Sequence, residues 1–312
     1  MSKFIIAVLT LTLAAASVLG QNQSAPTLRI VTEDPNLPSE LYYGNVKVKP
    51  LLLRPGTNQV ITIDDADFFI SQHYVDFLNR FADAGGLGYW TDQITRCGTD
   101  AVCINKRRVA VSAAFFIELE FQQTGSFVYR LYKGGLGRQP VYNEFMPDRR
   151  LVVANANLEQ NKAAFAEAFV QRAEFVQKYQ SATTADTFVD ALLATVKQSS
   201  KVDLTSLRSA LISKYNTGSN LVQSRSLVVR DLIEDASFKN AEYYPSFVLM
   251  QYFGYLKRDP DPGGYLFWLD VLTNKEPGNF KGMVCSFITS AEYQQRFGST
   301  ITRSNRDCAS IR

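Results

Sequence analysis

The chain carries an internal repeat, and a chain built this way buries its apolar faces mainly against its own copies. The segment from Phe69 (FISQHYVDFLNRFADAGGLGYW) aligns without a gap on that from Phe247 (FVLMQYFGYLKRDPDPGGYLFW), at an offset of 178 residues. Tyr74 falls on Tyr252, Arg80 on Arg258, Gly85-Gly86 on Gly263-Gly264 and Trp90 on Trp268. Two weaker copies open at Phe127 (FVYRLYKGGLGR) and Phe188 (FVDALL), so the four starts are spaced by 58, 61 and 59 residues. Each copy closes alike, on Glu120-Phe121, Glu174-Phe175, Ser237-Phe238 and Glu292-Tyr293.

Within a copy the apolar residues have helical period. Ile70, Tyr74, Phe77 and Leu78 share one face, and Val248, Tyr252, Tyr255 and Leu256 repeat it. The first helix should end near Asp259-Pro260, since the residue before proline is driven from the α region. Asp261 then caps a second helix with Pro262 at its first position, and Asp83 stands at the same place in the first copy. A third helix runs into the closing pair, carrying Phe115 and Phe116, Phe165 and Phe169, or Phe287 and Ile288. The fold class expected is mainly α: an array of four three-helix repeats of about 59 residues behind a small β-rich segment. Strand-like alternation marks that segment at Leu28–Val31, Val46–Lys49 and Val60–Ile63. The organisation expected is a signal peptide over 1–20, a lead-in over 21–63, repeats over 64–126, 127–182, 183–243 and 244–298, and a tail over 299–312. At helical spacing the aromatics Tyr74, Trp90, Tyr252 and Trp268 read as core.

A charge pair travels with the repeat. Eleven residues after each opening Phe stand Arg80, Arg138, Ser199 and Arg258, and the copies with arginine also hold Glu120, Glu174 and Glu292. The co-occurrence predicts that Arg80 pairs with Glu120, Arg138 with Glu174 and Arg258 with Glu292, since a guanidinium and a carboxylate can share two parallel hydrogen bonds. The first copy spends six more residues between its tryptophan and its glutamate than the last, and Cys97 and Cys103 lie in that stretch. A bridge across CGTDAVC would staple this loop, and Cys285 with Cys308 would pin the tail, although four cysteines permit three connectivities. No CxxC occurs and His73 is the only histidine, which disfavours zinc.

Residues 1–20 pair Lys3 with an apolar run from Phe4 to about Ala16 and small Val18 and Gly20 before Gln21, the pattern of a cleavable secretory signal. The run is too short to span a membrane, and no transmembrane span is expected after cleavage. Export places the cysteines in an oxidising compartment. A net charge of +3 and 20% charged residues give no strong polyanion-binding field, so nucleic acid is not an expected partner. Lys106-Arg107-Arg108 and Arg149-Arg150 read as solvated faces. No GxSxG, HExxH or P-loop appears, the GGLG at Gly85 and Gly134 follows helical sequence, and His73 sits beside an apolar stripe. Glu118 and Glu120, two apart on a helix, point to different faces. No catalytic residue, cofactor or metal ligand is therefore expected. Asp64-Asp65-Ala66-Asp67 reads as the acidic start of the first helix, with a calcium site as the alternative.

The motif Tyr-x5-Arg, then Gly-Gly, aromatic-Trp and a closing Glu-aromatic pair resembles the bacterial "domain of unknown function 4214" family. The phrases FVYRLYKGGLGRQP and DPDPGGYLFW are also similar to the helical repeat of phycobilisome linker polypeptides. The resemblance spans about residues 64–298 and is weakest in the third copy, which lacks the arginine, the tryptophan and the glutamate. It implies an exported helical module of bacterial envelope or surface proteins, with no established catalytic residues. The function expected is that of a secreted or periplasmic non-enzymatic scaffold or adhesion-type module. Its partner would be an envelope or extracellular macromolecule, protein or glycan, and the alternatives are a glycan- or calcium-binding surface protein or an enzyme acting on envelope polymers.

Overall fold

The computed structural model describes residues 61–154 and 156–311 and, before them, the backbone of three short strands. These are β1 (Leu28–Val31), β2 (Glu40–Tyr43) and β3 (Val46–Val48), paired antiparallel in that order. Leu28 stands opposite Tyr43, and Leu41 opposite Val48. The rest of the lead-in and the leader over 1–20 lie outside the described residues. The strand expected at Val60–Ile63 does not form over its described part. Ile61 and Thr62 are irregular and Ile63 begins a turn, because the Thr62 amide donates to the Asp65 carboxylate at 2.7 Å and the Thr62 carbonyl takes the Asp65 amide at 3.0 Å, while the buried Arg108 guanidinium donates to the Ile63 carbonyl at 2.9 Å.

Beyond this point the chain is mainly helical, and among the described residues the α-helices come in four successive groups of four. The first is α1 (Ala66–His73), α2 (Ala84–Thr95), α3 (Ala101–Ile117) and α4 (Leu119–Gln123). The second is α5 (Gly125–Leu131), α6 (Tyr142–Arg149), α7 (Leu158–Phe169) and α8 (Ala173–Lys178). The third is α9 (Ala185–Ser200), α10 (Arg208–Tyr215), α11 (Leu221–Ile233) and α12 (Ala236–Ala241). The fourth is α13 (Tyr243–Gln251), α14 (Pro262–Asp270), α15 (Phe280–Ile288) and α16 (Ala291–Gln295). Three helices per copy were expected. The closing Glu-aromatic pair instead rides on a short fourth helix, because one extended residue interrupts the third: Glu118, Arg172, Asp235 or Ser290, with ψ of 146°, 142°, 138° and 147°.

The first helix of three groups ends in a five-residue π-helical turn, Tyr74–Leu78, Tyr132–Leu136 and Tyr252–Leu256. Each turn closes on a left-handed residue, Asn79, Gly137 or Lys257, with φ of 55°, 77° and 57°. The first helix of the fourth group therefore stops before Asp259-Pro260, and Asp261, four residues after Lys257, caps α14 by accepting the Gly264 amide at 2.7 Å. Asp83 does the same for Gly86 at 2.8 Å. In the third group α9 runs straight to Ser200 without a π turn.

Packing departs from an open array, in which each unit touches only its neighbours in sequence. The first and fourth groups meet where the equivalent residues Phe77 and Tyr255 stand edge-on at 5.0 Å, and where Phe116 of α3 stands edge-on to Phe247 of α13 at 4.7 Å. A Cβ on Gly254 would collide with the Phe77 ring, so the glycine sets how closely the two π turns approach. The second and third groups meet where the Tyr132–Leu136 turn lies on α9, and Phe253 of the fourth packs on Tyr142 and Phe145 of the second. The tail closes the body: Arg303 donates to Asp64 at 2.7 Å, and Asn105 to the Asp307 carbonyl at 2.7 Å.

Candidate functional site

The π turn, its left-handed cap and the short fourth helix build one constellation three times. The tyrosine that opens the turn is buried, the cap redirects the chain, and the arginine that follows lies back over the tyrosine ring. Its guanidinium carbon stands 4.8 Å from the ring centre for Arg80 over Tyr74, 5.3 Å for Arg138 over Tyr132 and 5.4 Å for Arg258 over Tyr252. The same guanidinium grips the glutamate of the fourth helix through two parallel bonds. These measure 2.6 and 2.8 Å for Arg80 with Glu120, 2.7 and 2.5 Å for Arg138 with Glu174, and 2.6 and 3.0 Å for Arg258 with Glu292. Hydrogen bonding to the carboxylate raises the pKa of each arginine and, from Arg138, holds Glu174 below the usual carboxylate range. Arg138 also grips Glu144, at 2.8 Å through each of its two terminal nitrogens. In the third group the corresponding junction is held from outside, Arg130 donating to the Ile233 carbonyl at 3.0 Å and to Glu234 at 2.8 Å.

Of the aromatics read as core, Tyr74 and Tyr252 are buried, whereas Trp90 and Trp268 are only partly so. The tryptophans belong to α2 and α14, which lie on the surface: α2 buries only Ile94, and α14 buries none of its residues. Beside each tryptophan an outward ring stands nearly perpendicular to it, Tyr89 at 59% exposure and Phe267 at 52%. At the first group these rings border a cleft of about 340 Å³, walled by Tyr74, Tyr89, Trp90 and Phe115 and edged by Glu118 and Glu120.

His73 is buried, with Nδ1 2.8 Å from the Phe69 carbonyl and Nε2 2.8 Å from Ser112 Oγ. A carbonyl only accepts, so Nδ1 carries the proton and Nε2 accepts from the serine. Burial lowers its pKa to about 4. Cys97 is bridged to Cys103 and Cys285 to Cys308. Asp64 accepts from the Thr302 hydroxyl at 2.5 Å as well as from Arg303, and Asp65 stands at the N-cap of α1, where its carboxylate accepts the Thr62 amide at 2.7 Å.

Sequence reasoning missed a buried ionic cluster. Asp76 accepts two bonds of 3.0 Å from Arg296 and lies 2.8 Å from Lys257 Nζ, while Arg149 donates to the Asp76 carbonyl at 2.6 Å. Burial opposes the Asp76 charge, but Arg296 and Lys257 outweigh it and hold the carboxyl well below its usual range. Burial lowers the Lys257 ammonium to about 8. One signal was available: Asp76 interrupts an apolar helix where the matching positions are Gly134 and Gly254. The basic runs read as solvated faces are corrected in part. Arg149 is buried on the π turn of the first group, and Arg108 is buried with its guanidinium 3.7 Å over the Phe69 ring, because each has backbone carbonyls to serve.

No model of a known protein family matches the chain, and no curated protein is significantly similar to it. Among the described residues no helix is long and apolar enough to cross a membrane.

Proposed function

We propose that the chain is an exported, non-enzymatic module of the family it resembles, made of four copies of one helical unit and binding another macromolecule in the bacterial envelope or outside the cell. The observation that carries this reading is a division of labour within the unit. The charged side chains of the Tyr–Arg–Glu constellation are engaged with one another, while the next helix turns rings such as Tyr89 and Phe267 outward. Two bridged cysteine pairs suit an oxidising compartment. The test is crosslinking and capture with the mature chain from its native envelope, alongside N-terminal sequencing of the protein recovered from cells. The reading expects a start at Gln21 and a partner whose capture weakens when Tyr89 and Phe267 are replaced by serine. A chain retained in the cytoplasm, or capture indifferent to both replacements, contradicts it.

A further inference from the structure

We infer that the cleft at the start of α4 binds an uncharged oligosaccharide, with a pyranose ring lying against Tyr89 and Trp90 and its hydroxyls donating to Glu118 and Glu120. This deepens the proposal above by naming the ligand class, and it rests on that proposal. The cleft joins aromatic walls to a short polar edge, at a size suited to a small ligand. The two glutamates of that edge are acceptor-only when ionised, so the ligand must bring donors. Their negative charge repels an acidic polymer. A cationic ligand finds the Tyr74 face already covered by the Arg80 guanidinium, 4.8 Å from the ring centre, and Glu120 already paired with that guanidinium, which leaves Glu118 alone to hold its charge. What remains is a neutral molecule with an apolar face and many hydroxyl donors, which describes a sugar. Tyr89 is exposed and stands nearly perpendicular to Trp90, so the pair offers a corner rather than a flat surface. The fourth group holds the same ring pair in Phe267 and Trp268 but has Ser290 where Glu118 stands, which makes it an internal control.

The chain has two tryptophans, so each can be isolated as a fluorophore. In Trp268→Phe the emission of Trp90 is titrated with cellotriose, maltotriose and tri-N-acetylchitotriose, and separately with choline and trigalacturonate. The expected result is a saturable change with at least one neutral trisaccharide, lost in Tyr89→Ala and weakened about tenfold in Glu118→Gln, as for one charge-assisted hydrogen bond. Trp90→Phe, reporting from Trp268, should respond more weakly. Both probing substitutions fall on exposed side chains and leave the core untouched. Silence of Trp90 towards all three trisaccharides, an equal response to choline or trigalacturonate, or binding that survives Tyr89→Ala overturns the inference. Capture of an envelope protein while Trp90 ignores sugar removes the oligosaccharide and leaves the broader proposal standing.

Discussion

Each Tyr–Arg–Glu constellation combines a ring contact with a two-bond ion pair, and its strength should follow how much water reaches it. The side chains of Arg80 and Glu120 are 28% and 23% exposed, against 42% and 47% for Arg258 and Glu292. Double-mutant cycles with Arg→Met and Glu→Gln should return about 1 kcal/mol for the first pair and about 0.5 kcal/mol for the second. Equal couplings would detach the pair's strength from burial. His73 adds a pH dependence of known sign. Its folded pKa of about 4 lies below the ordinary 6.5, so the unfolded chain binds the proton first. Its contribution is complete above pH 6.5 and is lost as pH falls towards 4, amounting to about 3 kcal/mol at most. Urea unfolding at stepped pH should show a steeper loss over that window in the wild type than in His73→Gln, and parallel profiles would refute it. The pairing of arginine with glutamate was legible because the two residue types appear and vanish together along the repeat. The buried roles of Arg108, Arg149 and Asp76 were not, because they depend on which carbonyls and cations a distant segment delivers.

At the level of elements, caps were easier to read than interruptions. Asp83 and Asp261 carry the preference of a short acceptor side chain for a helix start, and both accept the amide three residues on. The π turns and the separate fourth helix leave no periodic trace, since five or six residues are too few to move an apolar stripe. Trp90 and Trp268 recur at helical spacing and do pack against the core, on Phe115 and Phe287, but their helices lie on the surface and leave each ring partly exposed. Glycines separate packing from propensity within these elements. Gly88 lies inside α2 with open space around it, so Gly88→Ala should stabilise by about 0.5–1 kcal/mol. Gly254 lies in a π turn against the Phe77 ring, and Gly254→Ala should cost about 1–3 kcal/mol through overpacking. Thermal unfolding reads both, and a stabilising Gly254→Ala would show that the two turns are not pressed together.

Across the whole molecule, the repeat told which faces are apolar but not which copy each face meets. An open array was the natural expectation, yet equivalent residues of the first and fourth groups pack on one another, and the start of the helical body is tied to the tail by Arg303 on Asp64. The Cys285–Cys308 bridge lies in this closure and spans 23 residues, so Cys285→Ser with Cys308→Ser should cost about 3 kcal/mol. Cys97 and Cys103 close a loop of only 6 residues, and their removal should cost about 2 kcal/mol. Denaturant titrations of the two double variants rank the bridges, and a larger loss at the short loop would contradict the assignment. The central structural claim is that the first and last helical groups form one packed body. Native-state hydrogen exchange resolved by segment tests it most directly. The slowest amides of α1, α3, α13 and α15 should share a single opening free energy that falls together in Phe77→Ala, whereas independent exchange of the two groups, or a Phe77→Ala effect confined to residues 66–123, would contradict it.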